Sequence, residues 1–376
     1  MRVLIAAGGT AGHINPALAI AAKLKEKDPS CEIHFAGRKE GMEAGLVKKA
    51  GYPFHHIEVN GIQRRLTPKN IWRNIKALFW LGLSPVRAGN IIAEVKPELV
   101  IGAGGYVSGP VVRAAAKRGI KTAIHEQNAF PGVTNKLLAK QADLIMAAMP
   151  AAKERLGFPE KTVVVGNPVR AAVLHASRGA SRRKLGIPQD ALVLLSFGGS
   201  LGARRINEVV ADLAAWHLKK RDFWHLHATG QYGVELFKKL SEEKGFAGSE
   251  RLIVKEYIDD MPACLAAADL CICRSGALTL AELAAAGRAS VLVPSPNVAE
   301  NHQYYNALEL EKAGAARVVE EKDLTGAGLI QLVDQLTKDP AVLEKMGTAA
   351  LACAEPDSAE KIYEALSKLF KKTQKT

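Results

Sequence analysis

Short apolar runs recur along this chain, and most of them stop at glycine or at a cluster of polar residues. Val3 to Ala7 is the first, ending at Gly8-Gly9-Thr10-Ala11-Gly12-His13. A short apolar run cut off by glycine predicts a buried strand. The pattern then changes to a helical period through Lys25, with Ile14-Asn15-Pro16 opening the helix and Pro16 suited to its first turn. Further strands are predicted at Glu32–Gly37, Phe54–Val59, Leu99–Gly102, Thr122–Glu126, Asp143–Ala147 and Thr162–Val165. Helical patterns at Met42–Ala50 and Val111–Arg118 fall between them. Gly166-Asn167-Pro168-Val169-Arg170 interrupts this series, and the chain starts afresh beyond it. Ala191–Phe197 is a new strand, and Gly198-Gly199-Ser200-Leu201-Gly202-Ala203 leads into a helix from Arg204. Strands at Phe223–Gly230, Leu252–Glu256, Leu270–Cys273 and Ser290–Val293 follow, and Asp357 caps a last helix to Phe370. Strands alternating with helices predict an α/β protein with parallel sheets. A strand, a Gly-Gly turn and a helix open each half, so we expect two doubly wound, Rossmann-like domains facing across a cleft. One would hold a nucleotide and the other a second substrate.

The chain has 376 residues, 48% hydrophobic with 33 glycines, enough for two domains with their own cores. Its five cysteines have no paired C-x-x-C spacing. Cys271 and Cys273 alternate within an apolar strand, so buried reduced thiols of a cytosolic protein are expected, not a zinc site. No run reaches the ~18 to 20 apolar residues of a membrane span, and Met1–Ala7 is too short for a signal peptide. Charge is uneven. Residues 1–160 hold 23 Lys and Arg against 12 Asp and Glu, a net +11 of the total +13. No acid occurs between Glu58 and Glu94. This predicts an anionic surface partner, membrane or nucleic acid.

That acid-free stretch contains a helical pattern from Pro68 to Ser84. Ile71, Ile75, Leu78 and Gly82 fall on one face, with Trp72 and Phe79 beside them and Trp80 next in the chain. Arg64, Arg65, Lys69, Arg73 and Lys76 surround the stripe. Such a face packs into a core or lies on anionic lipid, and the pattern leaves both open.

Three stretches carry candidate chemistry. His13 leaves a Gly-rich loop at a helix N-terminus, which disfavours its charged form and suits a general base. His125-Glu126-Gln127-Asn128 puts four polar side chains at a strand's carboxyl end, which predicts a site lining. Arg274-Ser275-Gly276 ends another strand, with Ser275 a candidate N-cap and helix N–H groups free for an anion. Glu282, further along that helix, could accept hydrogen bonds from a ribose diol. A plain turn with an exposed helix Glu remains the other reading.

Seven blocks in order resemble the MurG family, the UDP-N-acetylglucosamine–N-acetylmuramyl-(pentapeptide) pyrophosphoryl-undecaprenol N-acetylglucosamine transferases of peptidoglycan synthesis. They are Gly8–His13, Gly104-Gly-Tyr-Val-Ser-Gly109, His125–Asn128, Gly166–Arg170, Gly198–Ala203, Arg274–Thr279 with Glu282, and His302-Gln303. The resemblance implies a GT-B fold whose last helix crosses back to the first domain. The domains would be 1–165 with 355–376, binding acceptor and membrane, and 166–354, binding UDP-N-acetylglucosamine (UDP-GlcNAc). It implies transfer of N-acetylglucosamine, with inversion, to the 4-hydroxyl of the muramyl sugar of lipid I, giving lipid II. Carried over by position, Ser200 would contact the diphosphate, Arg170 the nucleotide and the Ile258 backbone the uracil. Ala277, Leu278, Thr279, Leu280, Ala281 and Glu282 would hold uridine, and Gln303 the sugar hydroxyls. Thr10, Ala11, Gly12 and Asn128 would reach the donor sugar, with His13 the base and Glu126 in reserve. Some members have Gly where this chain has Ala11, and Gln where it has His302; a methyl at Ala11 keeps the backbone donors, and neither departure argues against activity.

Without an Asp-x-Asp motif, no obligatory metal and no cofactor are expected. The implied place is the cytoplasmic face of the membrane, held peripherally on anionic lipids through the Ile71–Trp80 patch. Links to cell division and cell shape are implied by family alone. A UDP-sugar 2-epimerase of the same fold is the alternative, but it would leave that patch unexplained. An NAD-dependent oxidoreductase would need G-x-G-x-x-G and an acid where Gly37-Arg38 stands. Nucleic acid is not expected, because the charge excess is local to one apolar patch.

Overall fold

A computed structural model describes residues 1–59 and 84–371. The chain divides into two compact units, Met1–Pro168 with Asp357–Thr376, and Val169–Pro356. All ten residues of the expected membrane patch, Arg64 to Trp80, lie outside the described residues.

The first unit is built on strands β1 (Arg2–Ala6), β2 (Glu32–Gly37), β3 (Phe54–His56), β4 (Leu99–Gly102), β5 (Lys121–Glu126), β6 (Leu144–Ala147) and β7 (Thr162–Val164). They form one parallel sheet in the order β3-β2-β1-β4-β5-β6-β7. Side chains alternate across a strand, so one strand feeds two cores. Val3 and Ile5 face a layer with Ala17, Ile20 and Leu24 of helix Ala11–Lys27. Leu4 and Ala6 face the opposite layer, with Val111 and Val112 of helix Ser108–Ala116. Helix Ser358–Lys371 closes the first layer through Ile362, Ala365 and Leu366. Glu360 there pairs with Lys23 at 2.9 Å and Lys27 at 2.8 Å, so the last helix belongs to the first unit.

The second unit repeats the plan with β8 (Leu192–Phe197), β9 (Phe223–Ala228), β10 (Leu252–Lys255), β11 (Leu270–Cys273), β12 (Ala289–Leu292) and β13 (Ala316–Val318). Their order is β10-β9-β8-β11-β12-β13, again parallel. Cys271 and Cys273 face one core layer while Leu270 and Ile272 face the other. Their thiols are free and buried, and burial pushes Cys271 up to about 12; Cys353, by contrast, is exposed. The doubly wound α/β architecture expected from the alternating pattern is the one observed.

Strand order places the candidate chemistry. In each sheet the winding reverses once, between β1 and β4 and between β8 and β11. Loops leaving neighbouring strands at such a reversal part to opposite sides, and the opening between them takes ligands. The turn after β1 carries Gly8–His13 and the turn after β4 carries Gly104-Gly105. The turn after β8 carries Gly198–Ala203 and the turn after β11 carries Arg274–Gly276.

Candidate active site

At the first reversal, helix Ala11–Lys27 starts at Ala11, earlier than the Ile14 expected from its pattern. Pro16 is therefore inside the helix rather than in its opening turn, and its missing N–H leaves the Gly12 carbonyl without its usual partner. His13 sits in that first turn, half-buried. Its Nδ1–H donates to the Gly8 carbonyl at 3.0 Å, and Thr10 Oγ1 lies 3.3 Å from the same nitrogen. A neutral imidazole bonded this way keeps Nε2 as its lone-pair acceptor, the form a general base needs. The second Gly-rich turn makes this placement possible. A Cβ on Gly104 would lie 2.5 Å from the His13 ring, and one on Gly105 would lie 2.2 Å from the Gly8 carbonyl oxygen. Both have positive φ, +104° and +80°, which also favours glycine. Ser108 pins that turn: its Oγ donates to the Ala6 or Gly104 carbonyl, each 2.9 Å away, and accepts from the Gly104 N–H.

The polar block at the carboxyl end of β5 is placed differently from the expected site lining. His125, Glu126 and Gln127 are all buried. His125 Nε2–H donates to Gly166 O, Nδ1 accepts from Gln127, and burial lowers its pKa to about 4. Glu126 accepts four hydrogen bonds, from Asn128 N and Nδ2 on one oxygen and Gly132 N and Asn135 Nδ2 on the other. Both oxygens are engaged and the group is shut from solvent, so Glu126 holds the 126–135 turn and is poorly placed as a reserve base. Asn128 alone of the four is partly exposed.

At the second reversal, two helices begin with free N–H groups. Arg204–Lys220 and Ala277–Ala285 have no side-chain cap and no acid in the first turn. Such ends attract an anion through the helix dipole and the unspent donors. Gly199 and Gly202 at φ +95° and +86° shape the first turn, and Ser200 is exposed at its tip. The turn rests on its neighbour: Gln231 N–H donates to Ser200 O, and Asn207 Nδ2 to Thr229 O.

Ser275 does not cap helix Ala277–Ala285; Gly276 occupies the N-cap position. Ser275 is buried, and its hydroxyl donates to the Gln303 backbone carbonyl at 2.8 Å. Leu280 and Ala277 turn their side chains into the core, so they can serve a ligand only through backbone. The Leu280 N–H is already spent on Gly276 O. Leu278, Thr279 and Ala281 are partly exposed.

Glu282 follows on the same helix, and Arg170 grips it with Nε to Oε1 at 2.6 Å and Nη2 to Oε2 at 3.0 Å. This bidentate pair raises the Arg170 pKa, chiefly through the hydrogen bond itself. Each carboxylate oxygen keeps a second lone pair, enough for a vicinal diol. Arg170 is half exposed, and its fork is spent on Glu282 in this state.

Gln303 Oε1 accepts from Ser295 N–H at 2.9 Å, which leaves its amide NH2 to donate outward. The preceding residues Glu300 and Asn301 both have positive φ, 54° and 49°, a strain non-glycine residues carry where a loop is held in place. Ile258 lies after β10 with its side chain buried, and among the described residues its N–H and C=O make no backbone hydrogen bond. A peptide edge of that kind is open to a ligand that both donates and accepts hydrogen bonds. Glu43, a buried carboxylate beneath the first Gly-rich turn, escaped the sequence reading; the glycines around it at Gly37 and Gly41 were its only trace.

Residues 3–147 match the glycosyltransferase family 28 N-terminal domain and residues 193–364 the glycosyltransferase family 28 C-terminal domain. A curated relative from Acetivibrio thermocellus is 42% identical over 99% of both chains. One from Desulforudis audaxviator is 42% identical over 98% of both chains. Each is named a UDP-N-acetylglucosamine–N-acetylmuramyl-(pentapeptide) pyrophosphoryl-undecaprenol N-acetylglucosamine transferase. The crystal structure of Acinetobacter baumannii MurG superposes with a TM-score of 0.76 at 31% identity, covering 98% of this chain and 99% of that one. A UDP-GlcNAc 2-epimerase from Neisseria meningitidis, bound to UDP-GlcNAc, shares the fold alone: TM-score 0.66 at 15% identity, covering 98% of this chain and 100% of that one. The chain therefore belongs to glycosyltransferase family 28, among the MurG-type N-acetylglucosaminyltransferases.

Proposed function

We propose that this protein transfers N-acetylglucosamine from UDP-GlcNAc to the 4-hydroxyl of the muramyl sugar of lipid I, with inversion, giving lipid II. The observation that carries the reading is the second reversal point, where uncapped helix N-termini stand with an oriented Glu282 on the same helix. That set suits a ribose next to a diphosphate. Glu282 takes the ribose hydroxyls, the N–H groups around Ser200 take the diphosphate, and the Ile258 peptide edge takes uracil. Gln303 donates to the sugar. In the first unit Thr10, Ala11, Gly12 and Asn128 are the sugar-binding groups and His13 is the base.

The step balances as a single displacement. His13 Nε2 takes the proton of the attacking hydroxyl as its oxygen bonds the anomeric carbon. The bond from that carbon to the diphosphate breaks, and its electron pair leaves with UDP. Charge therefore grows on the diphosphate, where preorganised N–H donors help most; one such donor is worth ~3 to 4 kcal/mol in other enzymes. The deciding experiment incubates the protein with UDP-GlcNAc, with and without a lipid-linked muramyl acceptor. The reading requires UDP and a disaccharide lipid only when acceptor is present. Acceptor-independent formation of the 2-epimer would put the epimerase in its place.

An acceptor on a polyprenyl chain stays in a bilayer, so the enzyme must come to it. Among the described residues no helix is long and apolar enough to cross a membrane. We therefore assign a peripheral place on the cytoplasmic face, with Ile71, Trp72, Ile75, Phe79 and Trp80 buried in anionic lipid. Arg64, Arg65, Lys69, Arg73 and Lys76 would add about 1 kcal/mol each near the surface. Reversing Arg73 and Lys76 to Glu should abolish co-sedimentation with anionic vesicles and leave the melting temperature unchanged. Retained binding would refute this surface.

A further inference from the structure

The first reversal point holds a carboxylate that the reaction above does not use. Glu43 stands in the first turn of helix Met42–Lys49 and is 1% exposed. Among the described residues no Lys, Arg or His pairs with it. Backbone N–H groups hold it instead: Arg38 N donates to Oε1 at 3.0 Å, and Gly9 N to Oε2 at 3.4 Å. Three glycines leave it room. A Cβ on Gly8 would lie 2.7 Å from Oε1, one on Gly37 2.6 Å from Cγ, and one on Gly41 2.3 Å from Cδ. A buried carboxylate without a counter-charge is costly. Both of its oxygens accept from backbone N–H groups, where a Gln of the same shape would set its NH2 against one of those donors.

The use of this carboxylate lies in the Gly8–Gly9 peptide. Its N–H points at Glu43 and its carbonyl accepts the His13 Nδ1–H at 3.0 Å. In a trans peptide these two groups point to opposite sides, so Glu43, the peptide and the imidazole stand in series. A Cβ on Gly105 would lie 2.2 Å from that carbonyl oxygen, so the second turn packs there only as glycine. A carboxylate that accepts from an amide N–H polarises that amide and strengthens the bond its carbonyl accepts.

We propose that Glu43 is a positioning residue for the transfer, acting through the Gly8–Gly9 peptide to hold His13 in its Nδ1–H form with Nε2 ready to take the acceptor's proton. A carboxylate bonded directly to a histidine does this elsewhere; here one peptide group is inserted between them. The proposal rests on His13 as the base, and the test separates the two.

Glu43→Gln, His13→Ala and the double variant are assayed with UDP-GlcNAc and lipid-linked muramyl acceptor. Glu43→Gln should lower kcat about 10-fold or more, in the range of such supporting groups, and leave KM for UDP-GlcNAc within about twofold. In the His13→Ala background it should cost nothing further, because its effect passes through His13. Imidazole 15N spectra should show the Nδ1–H form of His13 in the wild type and a gain of the Nε2–H form in Glu43→Gln. An equal loss in both backgrounds would mean that Glu43 merely shapes the loop, and an unchanged kcat would remove it from the reaction. Near-normal turnover of His13→Ala would instead remove the base, and the 15N spectra would still decide whether Glu43 sets the tautomer.

Discussion

The two reversal points share a topology and are built in opposite ways. The first is filled by its own side chains. His13, Ser108 and Glu43 bond to the backbone of two interlocked Gly-rich turns, Thr10 Oγ1 lies against His13 Nδ1, and Gly104 and Gly105 leave no space between the turns. The second keeps its donors unspent, with helix ends uncapped and Glu282 presented by Arg170. The difference follows from what each would handle. A base must be held in one tautomer and one direction before substrate arrives. A diphosphate brings its own charge, so the protein has only to leave oriented N–H groups open to it. The first point should therefore fail in turnover when altered, and the second in binding.

The largest effect should come from His13. His13→Ala is expected to lower kcat by roughly 10²-fold or more while UDP affinity stays close to wild type. Calorimetry with UDP beside a turnover assay checks both halves. A variant that loses UDP binding as well would erase the division of labour between the two points.

Acid should also separate the units. In the second, His217 Nε2 meets His225 Nδ1 at 3.1 Å, and Ser196 Oγ bridges His225 and His227 at 2.8 and 2.7 Å. Burial keeps all three neutral: it lowers His217 to about 4 and His227 to about 3, and holds His225 well below its usual range. In the first unit burial lowers His125 to about 4 and also lowers His55. A depressed folded pKa means the unfolded chain binds protons first. The stability these groups contribute is whole above about 6.5 and is lost as pH falls towards 4 and 3. Three such groups in one hydrogen-bonded chain make the second unit the more acid-sensitive. Hydrogen exchange between pH 7 and pH 4 should show β8 and β9 losing protection before β1 and β5. The reverse order would contradict this.

Much of the fold was legible because the apolar runs are short and end at glycine. Val3–Ala7, Leu99–Gly102 and Leu270–Cys273 lie within a residue of the observed strands. Strand order was not legible, since nothing local says that the loops after β1 and β4 leave side by side. Gly104-Gly105 could be read as a turn, but not as the space that lets His13 reach Gly8. Glu43 and Glu126 show the limit in both directions. Glu43 looks like a solvated first-turn acid and is buried, because three glycines distant in the chain or across a turn make its pocket. Glu126 reads as a reserve base and is spent on four donors that only the folded turn brings together. Strand β13 and helices Gly326–Thr337 and Pro340–Ala352 had no Gly-rich or polar block to single them out.

At the second point, Glu282→Gln should weaken UDP binding by about 1–3 kcal/mol, the usual loss when a charged acceptor is replaced. Equal affinity would return Glu282 to the surface. Arg170 should give the smallest effect and the sharpest distinction. By family position it would meet the nucleotide, yet in this state its fork is closed on Glu282, so it can act on the ligand directly or through that carboxylate. The pair is open to solvent on the Arg170 side, and exposed ion pairs are worth about 0.2–1 kcal/mol. Arg170→Ala should therefore cost about 1 kcal/mol or less if its role is to orient Glu282. That cost should be the same for uridine and for UDP, and should vanish for the 2′,3′-dideoxy nucleoside, which has no diol for Glu282 to hold. A direct contact to phosphate predicts the opposite pattern: UDP would lose affinity, uridine would not, and removing the diol would change nothing. Titrating the three ligands into wild type and Arg170→Ala decides between a residue that holds the carboxylate and one that meets the phosphate.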